Sequence, residues 1–152
     1  MFDKNGIEIK TGDIVKIEGA YFKNDNGFWF VENSDGDPNW SGRDHSLRKI
    51  SKRGKISTAS RNLCFWPIMI TTNSWEKRAL AKSWNAEHAT IEVVKDIDRS
   101  EVAEHFQEEA EAMNERIKHD SWYYGEDNKE TLLCKAIKAH YEGVAKRILA
   151  EA

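Results

Sequence analysis

The stretch GDIVKIEGAYFKNDNGFWFV, residues 12–31, decides the fold of this 152-residue chain. It begins with the β-branched run IVKIE, which is typical of a strand. The segment 24–27, Asn-Asp-Asn-Gly, predicts a tight type I′ turn, because Asn and Gly tolerate positive φ angles. In the strand that follows, Phe28 and Phe30 should share one face and Trp29 should lie on the other. These residues predict an aromatic β-hairpin.

More short strands are predicted on both sides of this hairpin. The candidate strands are residues 7–9, 47–50, 64–71 and 90–94. Turn signals recur about every ten residues, a spacing typical of a small β-barrel. Residues 74–88 have helical spacing instead, and Ser74 can cap that helix. We therefore expect a small barrel that one helix interrupts.

The C-terminal part, residues 96–152, predicts two amphipathic helices. The apolar stripe of the first helix is Val102, Phe106, Ala110, Met113 and Ile117. The stripe of the second helix, which starts at about Asn128, is Leu133, Ile137, Tyr141, Val144 and Ile148. Residues 119–127 (HDSWYYGED) lack the pattern and predict the break between the helices, so we expect an antiparallel helical hairpin. Gly143 inside the second helix indicates a close contact between helices.

Composition and charge exclude several classes of protein. Charged residues make up 32% of the chain, the net charge is −3, and six Trp, six Phe and four Tyr supply large apolar side chains. Cys64 and Cys134 form no CxxC unit, which argues against a structural zinc site and a disulfide-rich scaffold. The charged N-terminus and the short apolar runs predict a soluble protein with no membrane partner.

The basic run over residues 43–61 is the candidate binding segment. It holds seven cationic side chains and one acidic side chain in an acidic protein. In nucleic-acid-binding barrels, such cations hold phosphates while an aromatic ring stacks on a base. The alternative is a solvated hairpin whose lysines protect a sheet edge from aggregation. The residues expected to carry binding are Trp40, Arg43, His45, Arg48, Lys49, Lys52, Arg53 and Lys55.

Motifs for metal binding and catalysis are weak in this sequence. Residues 33–44 alternate oxygen-bearing side chains, but Pro38 occupies the sixth position, where a calcium loop needs glycine. The sequence contains no GxSxG elbow, P-loop or dinucleotide fingerprint. We therefore expect no catalytic residues, no metal, no cofactor and no enzymatic activity.

The segment Glu101–Glu115 carries six glutamates and no lysine or arginine. Acidic helices can imitate the charge spacing of a nucleic-acid backbone or dock onto a basic groove of a partner. A simple solvated helix face is the alternative interpretation.

Residues 19–68, followed by WNAEHATIEVV at 84–94, resemble uncharacterised proteins from phages and integrative elements of Firmicutes. The opening residues 12–31 are similar to the first strands of an SH3-like barrel. This resemblance covers about residues 1–95 and implies an SH3-like β-barrel lobe there, including the helix at about 74–88. Together with the helical hairpin that the apolar stripes predict over 96–152, it leads us to expect an α+β protein. It also implies an accessory protein of a mobile element, a class in which small non-enzymatic inhibitors of host defence are common.

We therefore expect a non-enzymatic binding protein of a phage or mobile element in the cytoplasm of a bacterial host. It would bind a host protein or nucleoprotein, as an inhibitor of host defence of the anti-CRISPR kind. The alternative is a nucleic-acid- or nucleotide-binding module that uses residues 43–61. A homodimer formed through the C-terminal helices stays open at this point.

Overall fold

The computed structural model describes residues 2–20, 22–40, 45–58, 62–64 and 89–152, with the backbone alone for 62–64. The strands along these residues are β1 (Ile14–Glu18), β2 (Gly27–Asn33), β3 (Ser46–Ile50), β4 (Asn62–Cys64) and β5 (Thr90–Val94). The helices are α1 (Ser100–Tyr124) and α2 (Lys129–Glu151), and a 3₁₀ turn covers Lys23–Asp25. The predicted α+β class is confirmed. Arg43, residues 65–71 and the predicted helix at 74–88 lie outside the described residues.

The strands form one antiparallel sheet in the order β4-β3-β2-β1-β5. Strand β1 pairs with both β2 and β5, so that Ile14 lies opposite Phe30 on one side and Val94 on the other. Among the described strands, β4 and β5 are the two edges and do not pair with each other. The prediction of strands at 47–50 and 90–94 is confirmed, whereas the described sheet is open rather than closed into a barrel.

Both faces of this sheet are apolar, because alternate residues of each strand point to opposite sides. One face is built from Ile9, Val15, Ile17, Trp29, Val31, Leu47, Ile91 and Val93. The other face packs against the helices through Ile14, Phe30, Ile50, Val102, Ala103, Phe106, Val144, Ala145 and Ile148, with Phe28 at its margin. The prediction that Phe28 and Phe30 share a face and Trp29 lies opposite is confirmed.

The two helices form the predicted hairpin and share their core with the sheet. The rings of Phe30 in β2 and Phe106 in α1 meet edge to face, with their centroids 6.1 Å apart. Most of the predicted apolar stripe on each helix is buried, but Leu133 near the start of α2 is 42% exposed. Asn128 caps α2, since its side chain accepts a hydrogen bond from the Glu130 backbone N–H at 2.9 Å.

A buried carboxylate, that of Asp13, ties the hairpin to the beginning of β1. Its oxygens accept the backbone N–H of Lys10 at 2.8 Å and lie 3.5 Å from Arg147 Nη2 and 4.0 Å from Arg99 Nη1. Burial raises the pKa of Asp13 even though the two guanidinium groups act to lower it. The anchor holds both helices beside the end of the sheet.

Two predictions for the N-terminal half are wrong. The residues between β1 and β2 form a longer connection with a 3₁₀ turn, and Asn26 has φ −72°, which excludes a type I′ turn. The Asn26 side chain instead accepts the backbone N–H of Ala20 at 2.8 Å. Residues 7–9 make only an isolated bridge between Phe2 and Glu8, because the Asp3 carboxylate organises this segment as a turn through the N–H of Ile7.

The predicted break at 119–127 is also placed too early. Helix α1 continues through Tyr124 and ends at Gly125, which has φ 95°. Only the short segment from Gly125 to Asn128 connects the helices. The sequence pattern failed here because the last turn of α1 extends beyond the core of the molecule and needs no apolar stripe.

Candidate functional site

The predicted basic segment is distributed over two faces of the sheet. Arg48 lies on the helix-facing side, where its Nη1 is 3.8 Å from Glu32 Oε2. Lys49 lies on the opposite side, and its Nζ is 4.6 Å from the centre of the Trp29 ring. The same ammonium group donates to the backbone carbonyl of Asn24 at 3.0 Å, and partial burial lowers the pKa of Lys49. Both cations therefore have partners within the chain.

Residues 51–55 of the same segment form a turn after β3. Lys55 Nζ lies 3.2 Å from Glu101 Oε2 at the start of α1. Lys52 and Arg53 occupy the exposed tip of this turn. Trp40 is half-buried and lines a groove with Met113 and other side chains of the two helices. The structure thus does not bring the described members of the predicted site onto one surface.

His45 is buried, so the expectation of an exposed contact residue is wrong. Its Nε2 lies 3.1 Å from the backbone carbonyl of Ile9, an arrangement in which the ring N–H donates. Burial lowers the pKa of His45, which disfavours the charged imidazolium that a phosphate contact needs. The side chain forms part of a cleft wall.

This cleft, of about 580 Å³, lies between the end of the sheet and α2. At its base, the Asp37 carboxylate accepts the Thr11 hydroxyl at 2.6 Å and the Ser34 backbone N–H at 2.8 Å. His140 Nε2 lies 3.3 Å from the same carboxylate, but without the alignment of a hydrogen bond. Gly143 lines the cleft, and a Cβ there would meet no described atom within 4 Å. The predicted close helix contact at Gly143 is therefore wrong.

The cleft residues do not form a nucleophile and base pair. The hydroxyls of Thr11 and Ser34 bond to each other at 2.8 Å, and Thr11 also bonds to Asp37, so neither described hydroxyl donates to a histidine. Within the described ranges, no group of three or more His, Cys, Asp or Glu side chains is arranged to hold a metal ion. The contacts of Asp37 with Thr11, Ser34 and His140 join the loops at the end of the sheet to α2.

Among the described residues, the most exposed aromatic side chains lie at the far end of the hairpin, at the C-terminal end of α1. We call Trp122, Tyr123 and Tyr124 the aromatic tip; their exposed fractions are 83%, 65% and 50%. The rings contact one another, since the Tyr123 and Tyr124 centroids are 4.7 Å apart in an edge-to-face arrangement. Leu132 and Leu133 on the first turns of α2 are also exposed. The sequence pattern assigned these aromatic residues to the break between the helices. The signal that could have identified them is three consecutive aromatic residues within an otherwise polar stretch.

A buried polar network supports the aromatic tip. The Asp120 carboxylate accepts the thiol of Cys134 at 3.2 Å and lies 3.0 Å from His119 Nδ1. The Thr131 hydroxyl donates to the carbonyl of Gly125 at 2.9 Å. The hydrogen bond from His119 is the main cause that lowers the pKa of Asp120, and burial raises the pKa of the Cys134 thiol. Because the carboxylate lies between the thiol and the imidazole, this arrangement fixes the tip but does not activate the thiol.

The outer face of α1 leads directly to the aromatic tip. The exposed residues Glu104, Glu108, Glu111 and Glu115 precede Trp122 by 18, 14, 11 and 7 positions. Eighteen residues are five full helical turns, so these side chains lie within about 40° of one line that is about 27 Å long. Among the described residues, none of the four glutamates has a salt-bridge partner within 4.0 Å.

Neither helix in the described ranges contains an apolar stretch that would span a bilayer. No protein-family model, curated protein or solved structure matches this chain.

Proposed function

We propose that this chain is a non-enzymatic binding protein that acts on another protein, with the aromatic tip as its central contact. The observation that carries the proposal is the exposure of Trp122, Tyr123 and Tyr124 side by side at the end of α1. Large exposed apolar patches on proteins commonly mark interaction sites. Tryptophan and tyrosine are enriched among the residues that dominate binding energy at interfaces.

A protein partner fits the charges better than nucleic acid does. Arg48, Lys49 and Lys55 already have acidic, aromatic or carbonyl partners within the chain. The aromatic tip is followed by Glu126 and Asp127, which would repel a phosphate backbone.

The biological setting in this proposal is a phage or mobile element, with a host protein or nucleoprotein as partner in the bacterial cytoplasm. Inhibition of a host defence system, of the anti-CRISPR kind, is the proposed outcome of binding. The resemblance of residues 19–68 and 84–94 to phage and integrative-element proteins supports this setting. An SH3-like barrel is the finer proposal for the N-terminal lobe, and the return of β5 to the side of β1 supports it.

Affinity capture from a host lysate tests the proposal when wild type is compared with the double variant Trp122→Ala/Tyr123→Ala. We expect the double variant to bind its partner with an affinity lower by roughly thirtyfold or more, as is found when a central aromatic contact is removed. Leu149→Ala is the matched control, because Leu149 is 51% exposed at the opposite end of the same hairpin. The proposal is wrong if the double variant retains its partner or the control loses it equally.

Binding of nucleic acid by the basic segment is the second candidate function, favoured by the exposure of Lys52 and Arg53 on one turn. Titration with DNA and RNA at two salt concentrations tests it, since phosphate contacts give an affinity that falls steeply with salt. Lys52→Ala/Arg53→Ala should then weaken binding. A salt-independent affinity for a nucleotide would indicate a small-molecule site instead.

A further inference from the structure

We infer that the aromatic tip docks onto a surface rich in lysine and arginine, namely the nucleic-acid-binding groove of a partner protein. This inference rests on the proposed function and specifies the chemistry of the partner. It implies that the chain and nucleic acid compete for the same groove.

The first support is the alignment of charge with the aromatic tip. Trp122 lies at the end of the line formed by Glu104, Glu108, Glu111 and Glu115, so a partner that contacts the exposed indole along α1 also meets these carboxylates. Lys118 is the cation on this line, one turn before Trp122. The contact surface thus combines one aromatic anchor with an elongated acidic face.

The second support is the charge of the whole hairpin. Residues 100–152 contain seven Lys and Arg against twelve Asp and Glu, a net charge of −5. On α2, Lys138 and Lys146 line the same groove between the helices as Glu111. Lys138 pairs with Glu142 at 3.5 Å, and in the described structure neither lysine lies within 4.0 Å of a Glu111 oxygen. The lysines of α2 therefore do not neutralise Glu111 on the acidic line of α1.

The third support is the energetic effect of placing like charges on one helix face. Glutamates three or four positions apart, such as Glu104 with Glu108 and Glu111 with Glu115, repel each other and oppose helix formation. A cationic partner relieves this repulsion when it binds, whereas an acidic partner adds to it. The exposed rings of Trp122 and Tyr123 also attract lysine and arginine side chains through their π faces.

A groove that binds nucleic acid offers the required surface. Duplex DNA carries about one negative charge per 1.7 Å of its axis, and lysine and arginine side chains along such a groove contact the phosphates. The acidic line on α1 is about 27 Å long and straight, which suits an extended groove better than an isolated pocket. We therefore favour this partner over a second copy of the chain, whose hairpin would present the same negative charge.

A deca-arginine peptide is the probe for this chemistry, with binding followed by calorimetry and by amide NMR shifts at about 50 mM and about 300 mM salt. The test variant is Glu104→Gln/Glu108→Gln/Glu111→Gln/Glu115→Gln. The matched control, Glu8→Gln/Glu18→Gln/Asp35→Asn/Asp96→Asn, changes the net charge by the same amount at exposed positions outside the hairpin.

We expect wild type to bind at low salt with shifts along α1 as far as Trp122, and the test variant to bind about tenfold more weakly. Trp122→Ala should also weaken binding, while the control should stay within about twofold of wild type. Equal losses in test and control variants, shifts elsewhere, or no binding by wild type would overturn the inference.

The partner captured from host lysate separates this inference from the proposed function. If the four-glutamine variant retains the partner while Trp122→Ala/Tyr123→Ala loses it, the aromatic contact stands and the basic groove is wrong. If added DNA displaces the partner from wild type, the inference is supported. If both the four-glutamine variant and Trp122→Ala/Tyr123→Ala retain the partner, both proposals are wrong.

Discussion

The basic segment after the 34–40 loop and the aromatic tip of the hairpin differ in how their side chains are used. In the basic segment, Lys49 covers the ring of Trp29 and Arg48 faces Glu32. In the aromatic tip, Trp122 is 83% exposed, whereas Trp29 is 2% exposed. Two cations of the segment predicted to bind thus have partners within the chain, whereas the segment predicted as a helix break exposes three aromatic side chains.

A cluster of charges in a sequence therefore does not by itself identify a binding surface, because folding can give those charges partners inside the chain. The ammonium group of Lys49 donates to the backbone carbonyls of Asn24 and Asn26 and lies over the indole of Trp29, so most of its donor capacity is used within the chain. In the aromatic tip, by contrast, the side chains are at least half exposed to solvent, and the polar network of Asp120 and Cys134 lies next to them in the hairpin. Four predictions, ordered by the size of the expected effect, test this comparison.

The largest effect is expected from Phe106→Ala, which removes a fully buried ring between the sheet and the hairpin. The free energy of unfolding should fall by about 3–5 kcal/mol, because the cavity cannot close between two rigid layers. Urea unfolding followed by far-UV circular dichroism and by tryptophan fluorescence should give one coincident transition. Two separate transitions would show that the sheet and the hairpin unfold independently, as two domains.

Asp37→Asn should lower the stability by about 1.5–3 kcal/mol near neutral pH, since a carboxylate that accepts two hydrogen bonds is replaced by an amide. Burial acts to raise the pKa of Asp37, but His140, the Thr11 hydroxyl and the Ser34 N–H outweigh it, and the pKa is below the ordinary 3.8. A lowered pKa means that the carboxylate stabilises the fold above its unfolded pKa. This stabilisation is lost as the pH falls through the folded pKa.

The difference in unfolding free energy between wild type and Asp37→Asn should therefore stay constant down to about pH 5 and shrink below pH 3.8. Denaturant titrations at several pH values measure it. A difference that grows on acidification would contradict the assigned direction of the pKa shift.

Lys49→Ala should cost about 1–2 kcal/mol, because it removes the cation over Trp29 and the hydrogen bond to the Asn24 carbonyl. Arg53→Ala, on the exposed turn of the same segment, is the matched control and should change stability by less than about 0.5 kcal/mol. Thermal unfolding of both variants distinguishes them. Equal, negligible effects would show that Lys49 is available for a ligand after all.

The smallest effect on stability is expected from Trp122→Ala, within about 0.5 kcal/mol of wild type, since its side chain is 83% exposed. Trp29→Ala is the matched comparison and should cost about 3–5 kcal/mol. Chemical denaturation of the pair measures the contrast directly. A large loss in Trp122→Ala would mean that the aromatic tip serves the fold and is not reserved for a partner.

Local patterns predicted much of the fold and little of the candidate site. The strands β1, β2, β3 and β5 follow from β-branched and aromatic runs, whose side chains suit a half-buried sheet. The hairpin follows from apolar spacing that matches the helical period. The aromatic tip escaped prediction because Trp122 lies on the solvent side of α1, where a helical pattern places polar residues.

Local sequence patterns were enough to predict the α+β class, the alternation of Phe28 and Phe30 against Trp29, and the two amphipathic helices. These features depend on neighbours within a few residues, so the chain order already contains them. Tertiary structure alone decided that His45 is buried against Ile9, that Lys49 covers Trp29, and that the last turn of α1 extends into solvent. Each of these depends on which distant segment packs against the residue, and the pairing of segments is a property of the folded chain.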